Sequence, residues 1–215
     1  MKSKSWQILW VALVLSPLQA FPKDETPPIE HIIVPEMVRI PGKPYELGKH
    51  EVTQGEWRLV MKDNPSKFSR CGDFCPVEQV NWNDTQEYIQ KLNAITGKQY
   101  RLPTEAEWLY ACYAGSHSEY CGGNDLGVVG WYADNSIYQT HPVGQKQPNG
   151  FGLYDMSGNV WEWTSDCWAA DCAARVVRGG SWFDDPLLAR AAIRGGENPA
   201  DRYGNFGFRL ARTLP

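Results

Sequence analysis

The stretch Gly152-Leu153-Tyr154-Asp155-Met156-Ser157-Gly158-Asn159-Val160-Trp161-Glu162-Trp163 sets the character of the chain. No helical period runs through it. Gly, Asn, Asp and Trp alternate instead, and this texture continues from Gly115 to the C-terminus as short extended pieces. The whole sequence shares the bias, with 10 Trp beside 20 Gly in 215 residues. Many indoles with many glycines imply a loop-rich fold whose core is held by large aromatics rather than by long amphipathic elements.

Helical signals lie upstream of this region. Thr53-Gln54-Gly55-Glu56 precedes Trp57, Asn83-Asp84-Thr85-Gln86 precedes Tyr88, Ile89, Leu92 and Ile95, and Thr104-Glu105-Ala106-Glu107 precedes Trp108, Ala111 and Cys112. Each is a capping box or a near variant, in which a short polar side chain accepts from the third helical amide and an acid or amide reaches back. Asn83-Asp84-Thr85 also matches a glycosylation acceptor, with the helix cap as the plainer reading. Gly97 and Gly115 stand where helix-ending glycines belong. Met37-Val38-Arg39-Ile40 and Tyr45 to Val52 are expected as early strands around the Pro41-Gly42 turn, and Val176-Val177-Arg178 and Phe206 to Leu210 as late ones. One α+β domain over residues 36–215 accounts for these elements, and the length suits a single core better than two.

Outside the domain, Lys2 and Lys4 precede an apolar run from Trp6 to Leu18 that ends at Ala20, the pattern of a cleaved export signal over residues 1–20. The run is short for a bilayer span, and no other stretch would cross a membrane in the mature protein. Pro-rich, charged residues 21–35 read as a linker. The expected location is therefore periplasmic or extracellular. The net charge of −4 and the absence of a basic stretch argue against nucleic acid as a partner. Six cysteines in an exported chain suggest disulfides. Fifteen pairings are possible, and the closeness of the cysteines along the chain favours Cys71–Cys75, Cys112–Cys121 and Cys167–Cys172. Zinc is the rival reading, but none of the four His lies at ligand spacing from a Cys pair.

Six motifs, in order, resemble the formylglycine-generating-enzyme, or sulfatase-modifying-factor, family. They are Glu51-Val52-Thr53, Pro76-Val77-Glu78, Arg101 to Trp108, Gly152 to Trp163, Arg178-Gly179-Gly180-Ser181-Trp182, and Gly207-Phe208-Arg209. The resemblance implies a C-type-lectin-like fold with little regular structure, in agreement with the composition. It does not by itself assign an activity, because the family holds copper oxidases, iron-dependent sulfoxide synthases, maturation factors and binding proteins.

In the oxidases the resemblance implies two copper-binding Cys between the Gly-Gly-Ser and Gly-Phe-Arg motifs, where soft thiolates suit Cu(I). Residues 182–206 contain no Cys here; Ala191 stands at one expected ligand position and Pro186 near the other. No copper is therefore expected. The iron branch requires a His cluster, whereas this chain has only His31, His50, His117 and His141. The resemblance also implies one Ca²⁺ held by Asp155, Gly158, Val160 and Glu162. Hard Ca²⁺ takes oxygen ligands, which two carboxylates and two backbone carbonyls offer, and residues two apart in an extended segment face the same way. The competing reading pairs Asp155 and Glu162 with Arg or with turn amides.

Trp182, Asp184, Asp185, Arg190 and Arg194 form the expected ligand surface for a protein, peptide or small molecule. Trp161 and Trp163 read as core, and the series Arg190, Arg194, Arg202, Arg209 reads more readily as structural Arg bridging carboxylates and carbonyls. The function expected from sequence is a calcium-stabilised binding domain without the oxidase site. The alternatives are an enzyme or maturation factor acting on a periplasmic substrate through other residues, and a displayed lectin-fold binder with a diversified C-terminal segment.

Overall fold

The computed structural model describes residues 35–214; the expected export signal and nearly all of the expected linker lie outside the described residues. Helix α1, Gln54–Met61, starts as its sequence dictates. Thr53 Oγ1 accepts from the Glu56 amide at 3.2 Å, and the Glu56 carboxylate accepts from the Thr53 amide at 2.8 Å. Helix α3, Glu105–Tyr113, repeats this with Thr104 and Glu107. Such a cap is worth about 1 kcal/mol. Helix α2, Trp82–Thr96, corrects the expected start: Asn81 is the cap and Asp84 its reciprocal partner, while Asn83 already lies within the helix. Gly97 ends α2 in the left-handed conformation as expected, but α3 ends on Ala114, one residue before Gly115.

Strands β1 (Met37–Arg39), β2 (Tyr45–Gly48), β3 (Tyr100–Arg101) and β8 (Ala211–Thr213) form one antiparallel sheet in the order β1-β2-β8-β3. Strands β4 (Trp161–Cys167), β5 (Arg175–Arg178), β6 (Arg194–Glu197) and β7 (Phe206–Gly207) form a second in the order β6-β5-β4-β7, with β4 and β7 parallel. The late strand expected over 206–210 is therefore split. Phe206-Gly207 belongs to one sheet and Ala211 onward to the other, and Phe208 to Leu210 cross between them. Their carbonyls accept from residues 48–52: Gly48 N–H reaches Leu210 O at 2.7 Å and Val52 N–H reaches Phe208 O at 2.9 Å. This crossing carries Arg209 through the middle of the molecule.

One core packs α1 and α2 on the second sheet, with Trp57 stacked on Tyr88 at 5.3 Å and Trp163 fully buried. The other gathers Leu47, Trp108, Leu153 and Met156. The indole N–H groups of these core tryptophans are paired, as burial favours: Trp163 donates to Val80 O at 3.0 Å, Trp161 to Asp184 at 2.7 Å and Trp108 to Glu162 at 2.6 Å. All six cysteines are joined as Cys71–Cys75, Cys112–Cys121 and Cys167–Cys172. Spans of 4, 9 and 5 residues restrict the unfolded chain less than long loops do, so these bonds act chiefly as local braces. Among the described residues no helix is long and apolar enough to cross a membrane.

Candidate functional site

Four ionisable side chains meet where the two sheets and the 152–163 loop converge. Glu51, Glu162 and Arg209 are 0% exposed and Asp155 is 2% exposed. The Arg209 guanidinium grips Glu162 through two bonds of 2.6 Å and also donates to the Gly48 and Tyr154 carbonyls at 3.0 and 2.9 Å. Glu162 additionally accepts from Trp108. Glu51 accepts from the Val160 amide at 3.3 Å and the Asn159 side chain at 3.1 Å. Asp155 accepts from the Gly144 amide at 2.7 Å through Oδ2, while its Oδ1 is buried without a partner.

Three buried carboxyl groups thus surround one buried guanidinium. Burial first, then the neighbouring Asp155 and Glu162, push the Glu51 carboxyl well above its usual range. Burial likewise raises Asp155 to about 6, against the opposing Gly144 amide. Buried ionised carboxylates without counter-charge are costly, and Asp155 Oδ1 is the one carboxylate oxygen of the three groups left without a donor.

The loop that places Asp155 is tightly wound. Gly152, Asp155, Gly158 and Asn159 all adopt left-handed conformations, with φ of 82°, 55°, 88° and 57°. A Cβ at Gly158 would run into the Trp131 carbonyl, so this glycine is required both by φ and by close approach. The winding corrects one expectation: Gly158 and Val160 do not lie on a continuous extended run, which begins only at Trp161. The residues still fit a hard cation in donor chemistry, with a free carboxylate oxygen, an acidic surplus and adjacent main-chain carbonyls. Among the described residues no group of three or more His, Cys, Asp or Glu side chains closes into a metal cage, so any cation there needs the main chain as well. Glu162 has both oxygens committed to Arg209 and Trp108, the Arg pairing considered from sequence. Sequence reading missed Glu51 as part of this centre. Its signal was a Glu opening the Glu51-Val52-Thr53 motif just before a helix cap.

The expected ligand surface divides. Trp182 is only 6% exposed, with its N–H on Gly204 O at 2.9 Å and its ring edge-on to Phe68, so it is core rather than a presented platform. Asp184 is drawn inward by Ser181 and Trp161, at 2.6 and 2.7 Å. Asp185 is exposed. Arg190 pairs with Glu119 and Arg194 with Glu105, at 2.6 and 2.8 Å, which agrees with the structural reading of the Arg series. The apolar groups presented instead are Phe183, Leu187, Leu188 and Tyr203. Ala191 packs in the core with Trp108 and the Cys112–Cys121 bond, away from solvent.

The Sulfatase-modifying factor enzyme 1-like domain matches residues 23–214. The chaperone protein LppX of Paenibacillus barcinonensis is 32% identical, over 79% of this chain and 80% of that protein. The inactive C-alpha-formylglycine-generating enzyme 2 of Bos taurus is 38% identical, over 63% of this chain and about half the length of that relative (50%). Among solved structures, Treponema denticola variable protein 1 superposes with a TM-score of 0.75 at 29% identity, covering 84% of this chain and 92% of that one.

Proposed function

The chain belongs to the sulfatase-modifying-factor (formylglycine-generating-enzyme) family, with its C-type-lectin-like fold, and from that premise we propose that it is an exported binding domain without the family's oxidase chemistry. One observation carries this reading. Residues 182–206 contain no Cys, and every Cys of the sequence is already held in a disulfide elsewhere, leaving no thiolate to hold a soft metal. A relative named inactive and another named a chaperone support the same direction. The chaperone's name also favours a protein or peptide as the bound partner, which would meet the exposed apolar groups of residues 183–203. Three local disulfides suit an oxidising compartment.

Within this reading Ca²⁺ is the structural cofactor. Asp155 and the Gly158 and Val160 carbonyls would hold it, with Glu162 and Glu51 alongside. When bound, the ion supplies positive charge to the acidic centre. This chain's own groups do the rest: Arg209 orients Glu162, Asn159 fixes Glu51, and the left-handed loop aims Asp155.

A sulfatase-type Cys peptide incubated with the protein, Cu(I) and oxygen should remain unmodified by mass spectrometry, while an active family member converts it to formylglycine. Ala191→Cys should not create turnover, because that side chain points into the core. Conversion by the unaltered protein would refute the non-catalytic reading.

A further inference from the structure

Beyond the acidic centre, a cleft of about 460 Å³ opens between α1 and residues 72–75. Its walls carry Leu59, Phe74 and Val143, and its polar lining includes His50 and Glu56. The far wall is built rather than incidental. The Cys71–Cys75 bond braces it, the Gly55 amide ties to Asp73 O at 3.0 Å, and the Val143 amide ties to Phe74 O at 2.9 Å. Phe74 is nevertheless 77% exposed, a large aromatic held rigidly at the rim with nothing over it among the described residues.

The cleft lining carries both signs, with Glu36, Glu56 and Asp73 against Arg58 and Lys62, and His50 beside them. Glu56 is 4% exposed, and its carboxylate uses Oε2 for the Thr53 amide. Among the described residues no cation is paired with it. Of the other charged side chains in the lining, Arg58 pairs with Asp73 and Glu36 with Lys49, while the exposed Lys62 ammonium donates to Leu59 O. His50 Nδ1 lies 3.0 Å from Glu51 O. A carbonyl can only accept, so Nδ1 carries the proton and Nε2 is left as an acceptor. A buried acid and an acceptor imidazole beneath apolar walls call for a ligand that brings donors, positive charge and a short hydrocarbon body.

We propose that this cleft is a binding site for a primary ammonium on an apolar chain, with Glu56 as its counter-charge and Leu59, Phe74 and Val143 around the hydrocarbon. Burial holds the Glu56 carboxyl up to about 7, as expected for an acid whose counter-charge comes with a ligand. A lysine side chain and a peptide N-terminus share this chemistry. The site lies apart from the 183–203 face and adjoins the acidic centre through His50–Glu51 and Val143–Gly144, and its probe reads Glu56, Leu59 and Phe74 rather than that centre.

The test is titration of the full chain at pH 8, followed by amide NMR, with n-pentylammonium as probe and pentanoate and pentanol as controls. Saturable shifts at Glu56, Leu59 and Phe74 are expected with the ammonium alone, with a Kd on the order of millimolar for so small a ligand. Nα-acetyl-lysine methylamide and leucinamide then distinguish a side-chain ammonium from an N-terminal one. Glu56→Gln keeps an acceptor for the Thr53 amide, and so the helix cap, but removes the charge; it should weaken binding at least tenfold with the melting temperature little changed. Phe74→Ala, at an exposed position, should weaken binding without unfolding the protein. No saturable shift, equal binding of pentanoate, or unaltered binding by Glu56→Gln would overturn the proposal.

Discussion

Replacing Arg209 with Met is expected to cost about 3–5 kcal/mol of stability, the scale for removing one partner of a buried ion pair. Arg209 is fully buried and makes five roles converge: two bonds to Glu162, one each to the Gly48 and Tyr154 carbonyls, and charge balance for Glu51 and Asp155. Met fills a similar volume, so the loss is electrostatic and hydrogen-bonding rather than a cavity. Arg209→Lys should rescue little, because a point charge cannot reproduce a planar fork that serves a carboxylate and two carbonyls. The comparison is Arg202→Met. Arg202 holds Asp84 at 2.6 Å with its side chain half exposed, where such pairs contribute about 1 kcal/mol or less. Denaturant midpoints of the three variants measure this ordering. Equal losses at 209 and 202 would mean that the centre does not carry the fold.

Local features were the most legible in the sequence. The capping boxes at Thr53 and Thr104 depend on residues three apart, and both form as read. The start of α2 slipped by two residues because Asn81 and Asn83 are both good caps; Asn81 wins because Asp84 stands at the reciprocal third position and because its side chain also reaches Ala200 O at 3.1 Å. The cysteine pairs were readable for the same reason of proximity. What escaped depends on contacts between distant segments. Glu51 joins Asn159 and Val160 across 108 and 109 residues, a meeting no local pattern encodes. Trp182 looked like a ligand platform because its motif ends there, yet Phe68 and Gly204, brought in from two other loops, cover it. Residues 206–210 read as one strand, and only the sheet pairing shows that Phe206-Gly207 joins one sheet and Ala211 onward the other.

Calcium removal is expected to give the second large effect. A ligand bound only by the folded state stabilises it by about 2.7 kcal/mol at a hundredfold excess over its Kd, or very roughly 5–10 °C in a domain of this size. The effect should depend on pH in a stated direction. Asp155 in the folded chain titrates near 6, above its unfolded range, and Glu51 is raised as well. Without metal, the protons on these groups stabilise the folded state in acid, and that stability is lost as pH rises through about 6. Ca²⁺ takes the place of those protons, so the gap between calcium-loaded and chelated melting temperatures should widen from pH 5 to pH 8. Glu107, lowered despite its burial by Arg101 and the Thr104 cap, works in the opposite sense but equally in both samples, and so cancels from the gap. The direct measurement is a calorimetric Ca²⁺ titration of chelator-stripped protein at pH 7.5, paired with Asp155→Ala. One ion per chain, absent in the variant, is the predicted result; no binding heat together with a melting curve indifferent to chelator would contradict it.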